Sequence, residues 1–216
     1  MIVIYLQQIS SGVNLSRTLF TVGHSNHELE FFIDLVTTMR IDVIIDVRSN
    51  PTSAYVPHFN KPAISAELKE NGIKYLHFGE EFGARRDSPQ LMKMNGKVDF
   101  EKVRAEPKFQ EGVNRVIEGI DKGLRISLMC SEAEPFDCHR FVMISYHFSK
   151  LGIDVQHILK DKSLVTSEEL EQRLLKQYAK VLPQPDLFNP NVLSKEELVE
   201  LAYRLREQEV AYTNEI

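Results

Sequence analysis

Between Thr18 and about Lys160, short apolar runs rich in β-branched residues alternate with stretches of helical periodicity, and this alternation leaves the chain few ways to fold. Thr18 to Val22 reads as a strand broken by Gly23, after which Leu29, Phe32, Ile33 and Val36 recur at helical spacing. Asp42 to Val47 contains Val43, Ile44, Ile45 and Val47, a near-continuous apolar run that suits a strand buried on both faces. A second helix is expected over Pro62 to Asn71, with proline in its favoured first turn and Gly72 as the stop. Ile73 to Phe78, Arg125 to Met129 and Asp154 to Leu159 read as further strands. Phe109, Val113, Val116, Ile117 and Ile120 mark a helix ending at Gly123. Cys138 to Lys150 is apolar around most of its circumference and reads as a buried helix.

The order predicts an α/β fold: a mostly parallel open sheet of about five strands, right-handed crossovers, helices on both faces, and added C-terminal helices. The α/β core is expected over 18–165, with an N-terminal extension over 1–17 and a C-terminal helical extension over 166–216. Thr166 with Glu169, and Ser194 with Glu197, have capping-box spacing and mark the starts of two helices in that extension. Pro183 to Pro190 reads as the linker between them. Residues 79 to 108, interrupted by Gly79, Gly83, Pro89, Gly96 and Pro107, have the weakest pattern and are expected to act as a lid.

A net charge of -5 provides no global field toward nucleic acid, although a local basic pocket is compatible with it. The 2 cysteines cannot form a disulfide framework and fit a reducing cytosol. Met1 to Leu6 is apolar but lacks the basic start and long core of a signal peptide, and no apolar run is long enough to cross a bilayer. A cytoplasmic chain with no membrane partner is therefore expected. The sequence names no cofactor and no oligomeric state.

The polar residues gather where strands end, which in open α/β sheets is where ligands bind. Gly23-His24-Ser25-Asn26 follows the first strand. Arg48-Ser49-Asn50 follows the second, with Asp46 at its end. Arg85 and Arg86 come after the third, and Cys130-Ser131-Glu132 after the fourth. Asp137 reads as an N-cap, which places Cys138, His139 and Arg140 in a first helical turn, where free N–H groups favour an anion and lower a thiol pKa. Each group also has a plainer reading. Ser25 and Glu28 could form a capping box, and Asp46 could simply pair with Arg48. Cys130 could be core, Cys138 an inert small residue, and Arg140 a partner of Glu132 or Glu134. A zinc site from Cys130, Cys138, His139 and a further histidine has no supporting spacing motif, so no metal is expected. The loop after Cys130, with Glu132, Glu134 and Asp137, is oddly acidic for a thiolate nest.

Val22-Gly-His-Ser-Asn26, Asp46-Val-Arg-Ser-Asn-Pro51, Phe82-Gly-Ala-Arg-Arg86 and Cys130-Ser-Glu-Ala-Glu-Pro-Phe-Asp-Cys-His-Arg140 resemble, in order and spacing, the signatures of the domain of unknown function (DUF) 488 family. Ala84 is a mild departure in the third signature and leaves Arg85 or Arg86 as the matching arginine. The resemblance covers about residues 18 to 160 and implies a compact α/β domain with a shared polar pocket. It implies no reaction.

The first functional reading is an enzyme acting on a phosphorylated or otherwise anionic small molecule, a nucleotide or a nucleic-acid end. Its catalytic candidates are His24 and Asp46 as acid or base, with Cys130 and Cys138 as nucleophiles. Arg48, Arg85, Arg86 and Arg140 would hold the anion, with Ser25, Asn26, Asn50 and His139 beside it. The alternatives are a non-catalytic module that binds nucleic acid or protein, and a thiol- or sulfur-handling protein. The arginine argument weakens sharply if Asp46, Glu81 and Glu132 neutralise the guanidinium groups.

Overall fold

The structure is a computed structural model that describes residues 17–184 and 193–213. Its sheet contains β1 (Thr18–Gly23), β2 (Val43–Asp46), β3 (Lys74–His77), β4 (Ile126–Cys130), β5 (Asp154–Ile158) and β6 (Leu164–Thr166), in the order β3-β2-β4-β1-β5-β6. Every pairing is parallel except that of β5 with β6. The five expected strands are present, and β6 adds a short antiparallel edge that the sequence pattern did not reveal.

On one face, α1 (Leu29–Thr38) and α2 (Lys61–Glu70) bring Phe32, Val36, Ile64 and Leu68 onto Phe20, Val22 and Ile44. The other face carries α3 (Gly79–Phe82), α4 (Phe100–Ala105) and α5 (Pro107–Asp121). A six-residue π-helical turn (Arg140–Ser145) then runs into α6 (Tyr146–Lys150), followed by α7 (Ser167–Gln177) and α8 (Lys195–Val210). There Val113, Phe141, Phe148, Leu174 and Ala202 pack in one cluster with Leu19, Leu128 and Val155 of the sheet. The C-terminal helices therefore share the core of the sheet. Both capping boxes form with reciprocal bonds. No described helix is long and apolar enough to cross a membrane.

The winding positions the site. From β1 the chain passes through α1 to β2, beyond β4. From β4 it passes through the π turn and α6 to β5, beyond β1. These neighbouring strands thus send their connections to opposite faces, which opens a crevice at their C-terminal ends. Gly23 is in register with Cys130 there. A Cβ at Gly23 would lie 1.9 Å from the Glu132 carbonyl oxygen, so only glycine lets the loop after β4 rest on the end of β1. His24 N donates to Cys130 O at 2.9 Å, and Ser25 N donates to Ser131 O at 2.9 Å, fastening the two loops together.

Three local expectations are corrected. The segment expected to act as a lid is anchored in the core at both ends: Phe82, Val98, Phe100 and Val103 are fully buried, and Phe100 N donates to Glu207 Oε1 of α8 at 2.9 Å. Ser25 and Glu28 form no capping box. Ser25 has φ 50°, and Glu28 is itself the N-cap of α1, with no side-chain cap bond. Asp137 is not the N-cap either. It lies in a 3-10 turn, and its carboxylate pairs with Arg206 of α8, while Cys138 is extended (φ -127°, ψ 143°) just before the helix. The N-terminal extension and the Pro183 to Pro190 linker fall almost wholly outside the described residues.

Candidate functional site

The strand-end residues separate into two buried clusters. The first is centred on Arg48 at the end of β2. Its Nε donates to Asp46 Oδ1 and Oδ2 at 2.9 and 3.2 Å, and its Nη2 donates to Asp46 Oδ2 at 2.6 Å and to Phe59 O at 2.8 Å. Asp46 also accepts from Arg48 N at 3.0 Å and from the Tyr75 hydroxyl at 2.7 Å. Arg48 Nη1 lies 3.0 Å from His24 Nε2, and His24 Nδ1 lies 2.8 Å from the Ser25 carbonyl. A carbonyl can only accept, so the proton is on Nδ1 and Nε2 accepts from the guanidinium. His24 also stacks on Phe59 at 4.3 Å. Asp46, Arg48 and His24 are all buried.

Asp46 neutralises Arg48, and both imidazole nitrogens of His24 are engaged. Burial, reinforced by Arg48, lowers the His24 pKa to about 4. The cluster braces the end of β2 against β1 and β3. Tyr75 and Phe59, which sequence reasoning missed, complete it.

His157 is a second buried neutral histidine, between Thr21 Oγ1 at 2.8 Å and Ser167 Oγ at 3.1 Å, with its pKa lowered by burial to about 3. Both histidines have folded pKa values below the unfolded value, so the folded state refuses protons that the unfolded chain takes up. Their contribution to stability is present above about pH 6.5 and is lost as pH falls toward these folded values. Each group contributes a slope of at most about 1.4 kcal/mol per pH unit. Urea unfolding at pH 7.5 and pH 5 should therefore show a clear loss on acidification. A His157→Gln variant should show a smaller loss, and an equal one would contradict the assignment.

Each of the remaining arginines has partners within the protein. Arg140 is 0% exposed, and its Nη1 and Nη2 donate to the Glu132 and Ala133 carbonyls at 2.6 and 3.0 Å. Arg86 donates to the Glu80 and Glu81 carbonyls at 2.6 and 2.9 Å. Arg85 is exposed and lies over the Tyr212 ring at 5.3 Å, and only its backbone N–H reaches Ser49 Oγ, at 2.9 Å. Ser25 is half-buried, and Asn26 and Asn50 are exposed. The guanidinium groups expected to hold an anion thus hold main chain, a carboxylate or an aromatic face.

The second cluster is built from Cys130 at the end of β4, Glu132 in the next loop, Cys138 at the cap of the following helix and His139 in its first turn. Their donor atoms all lie within 4.8 Å of one another. Glu132 Oε2 lies 2.8 Å from Cys130 Sγ and 3.0 Å from Cys138 Sγ. His139 Nδ1 is 3.8 Å from each sulfur. Cys130, Cys138 and His139 are 2%, 1% and 7% exposed, while Glu132 is on the exposed part of the loop.

Helix geometry explains part of this convergence. Extended Cys138 acts as the N-cap: its carbonyl accepts from Phe141 N at 3.1 Å, and its sulfur accepts from Arg140 N at 3.4 Å. Burial pushes the Cys130 thiol and the Glu132 carboxyl up. Burial would raise Cys138 as well, but its hydrogen bond with Cys130 and the nearby Arg140 and His139 charges hold it well below the usual thiol value. Burial alone would lower His139, whereas the Cys138 charge lifts it.

Two thiol sulfurs, an imidazole and a carboxylate form a donor set suited to zinc. With zinc bonds of about 2.3 Å to sulfur and about 2.0 Å to nitrogen, a tetrahedral site separates sulfur and nitrogen by roughly 3.5 Å. The observed 3.8 Å spacings are near that value. The carboxylate is closer to the sulfurs than a shared ion requires, a gap that a side-chain torsion of Glu132 can open. Charge fits too. Among the described residues Arg140 makes no ion pair, and its Nε is buried without a hydrogen-bond partner. A dication held by two thiolates, a carboxylate and a neutral imidazole leaves one net negative charge beside that guanidinium.

Comparison with known proteins gives one match: the family model described as "Domain of unknown function DUF488" matches residues 28–147. No curated protein and no solved structure matches. The matched span includes Asp46, Arg48 and all four donors of the second cluster, whereas β1, β5, β6, α7 and α8 lie outside it.

Proposed function

The chain belongs to the DUF488 family, whose model covers more than half of it, and on that premise we propose that it is a zinc-binding protein, with its metal centre at the crevice between β1 and β4. Cys130, Cys138 and His139 are the inner ligands, and Glu132 takes the fourth place. The carrying observation is the convergence of four donors from a strand end, a loop and a helix start to within 4.8 Å. An ion held there would supply a Lewis-acid centre at the edge of the sheet where α/β proteins place their chemistry. The chain's own residues shape that centre: Gly23 admits the loop, Arg140 fixes its carbonyls and balances its charge, and the Arg48 network stiffens the adjoining strand end.

This reading keeps the expected location and two of the expected catalytic residues while changing their work. A nucleophilic thiol has to meet its substrate, and sulfurs that are 1% and 2% exposed are poorly placed for that. The same burial suits metal ligands. An anionic substrate draws little support from arginines already engaged.

Elemental analysis of the purified full chain should find about one zinc per molecule. Prolonged treatment with a strong chelator should remove it and lower the thermal midpoint, because an ion bound only by the folded state stabilises that state. A chain isolated without stoichiometric transition metal, and not stabilised by added zinc, would refute the proposal.

A further inference from the structure

We infer that Glu132 is a removable fourth ligand, so that the metal centre admits small exogenous anions from solvent. The inference rests on the metal reading above and extends it from a closed site to an open one. Catalytic zinc sites keep three protein ligands and one exchangeable position, whereas structural sites are closed by four permanent ligands. Four donors in contact do not by themselves decide between these, but the way each donor is anchored does.

Three donors are fixed by the fold. Cys130 ends a strand paired on both sides, to β1 and β2. Cys138 caps a helix through its carbonyl and its sulfur. His139 adopts helical backbone angles in the next position. All three are buried. Moving any of them means disturbing a sheet edge or a helix start.

Glu132 differs in both respects. It lies on the exposed stretch of the loop, with its carboxylate turned inward onto the two sulfurs. The main chain around it is held without help from its carboxylate. The Ser131 carbonyl accepts from Ser25 N at 2.9 Å. The Glu132 and Ala133 carbonyls accept from Arg140 at 2.6 and 3.0 Å. Gly23 lets the loop rest directly on β1. Releasing the carboxylate therefore needs only side-chain rotation, and the loop stays in place. The carboxylate moves into water, where its charge is well solvated, and an anion of similar charge can enter the position it leaves.

The test uses cobalt(II) in place of zinc, because its visible bands report coordination. Wild-type protein and the Glu132→Ala variant are loaded with cobalt and titrated with azide, with Glu132→Gln as an intermediate case. Both chains should bind one cobalt and show thiolate-to-cobalt charge transfer. Azide should then shift the visible bands of both. The apparent affinity for azide should be higher in Glu132→Ala by the inverse of the wild type's open fraction, about tenfold for a site open a tenth of the time. The inference is overturned if Glu132→Ala fails to hold cobalt while wild type holds it, since Glu132 would then be an essential structural ligand. It is also overturned if azide leaves both spectra unchanged. If wild type itself takes up no cobalt, the metal reading falls first and this inference falls with it, and that outcome is visible before azide is added.

Discussion

Replacing Asp46 with alanine should destabilise the fold by about 3–5 kcal/mol, the range for removing one partner of a buried ion pair. Arg48 is 6% exposed and Asp46 0% exposed, so the guanidinium cannot simply turn into water when its carboxylate is removed. Tyr75 would lose its acceptor at the same time, leaving a second polar group unsatisfied. The double variant Asp46→Leu with Arg48→Met should recover much of the loss, because burying neither charge avoids the desolvation cost that the pair only partly offsets. Equilibrium urea unfolding of the three chains measures this directly. If Asp46→Ala were as stable as wild type, the brace described above would be wrong.

The second large effect is expected at Cys138. Changing it to serine should weaken zinc binding by well over a hundredfold, since outer-shell partners alone are typically worth 10–100-fold and this residue is a direct ligand. Serine has a similar shape but does not deprotonate near neutrality, so the N-cap survives while the anionic donor is lost. The variant should therefore fold. It should lack the thermal stabilisation that a large excess of zinc gives wild type, on the order of 4 kcal/mol at a thousand times the dissociation constant. Differential scanning fluorimetry with and without zinc, checked by metal analysis, separates the two chains. Equal stabilisation of both would remove Cys138 from the metal.

The layout of the sheet was largely legible because its strands and helices carry their own signals. The run Val43 to Val47 has the apolar continuity of a strand covered on both faces, and that is where it lies, between α1 and α2 on one side and α5 on the other. What escaped was set by contacts distant in sequence. Asp137 has the chemistry of an N-cap, yet Arg206, which also donates to Phe136 O at 3.1 Å, takes its carboxylate from α8. The cap role passes to Cys138, a residue type with little intrinsic preference for it. β6 is short, so period-2 alternation has no room to appear. The π turn carries the same apolar circumference as an α-helix and leaves no distinct trace in composition.

The site was legible in place but not in partnership. The residues of both clusters follow strand ends, as the sequence reading had them, and the possibility that Asp46 simply pairs with Arg48 could be stated from their spacing, but could not be decided. Arg140 and Arg86 looked like anion ligands because nothing in the sequence shows that their targets are backbone carbonyls. The most informative signal was the acidity of the loop after Cys130. The structure gives each acid a separate use: Glu132 faces the thiols, Glu134 pairs with Arg173 at 3.3 Å, and Asp137 pairs with Arg206. An acidic loop is a poor nest for a thiolate alone and a good one for a cation. The spacing Cys-x-Glu followed by Cys-His carries the fourth donor, a carboxylate in place of a further histidine.

X-ray absorption at the zinc edge of the zinc-loaded protein tests the central claim most directly. The account requires two sulfur scatterers near 2.3 Å and nitrogen or oxygen scatterers near 2.0 Å, the distances of thiolate, imidazole and carboxylate bonds. In Cys138→Ser, any zinc that remains should show no more than one sulfur. A first shell of nitrogen and oxygen alone in the wild-type chain would contradict the assignment of Cys130 and Cys138 as ligands.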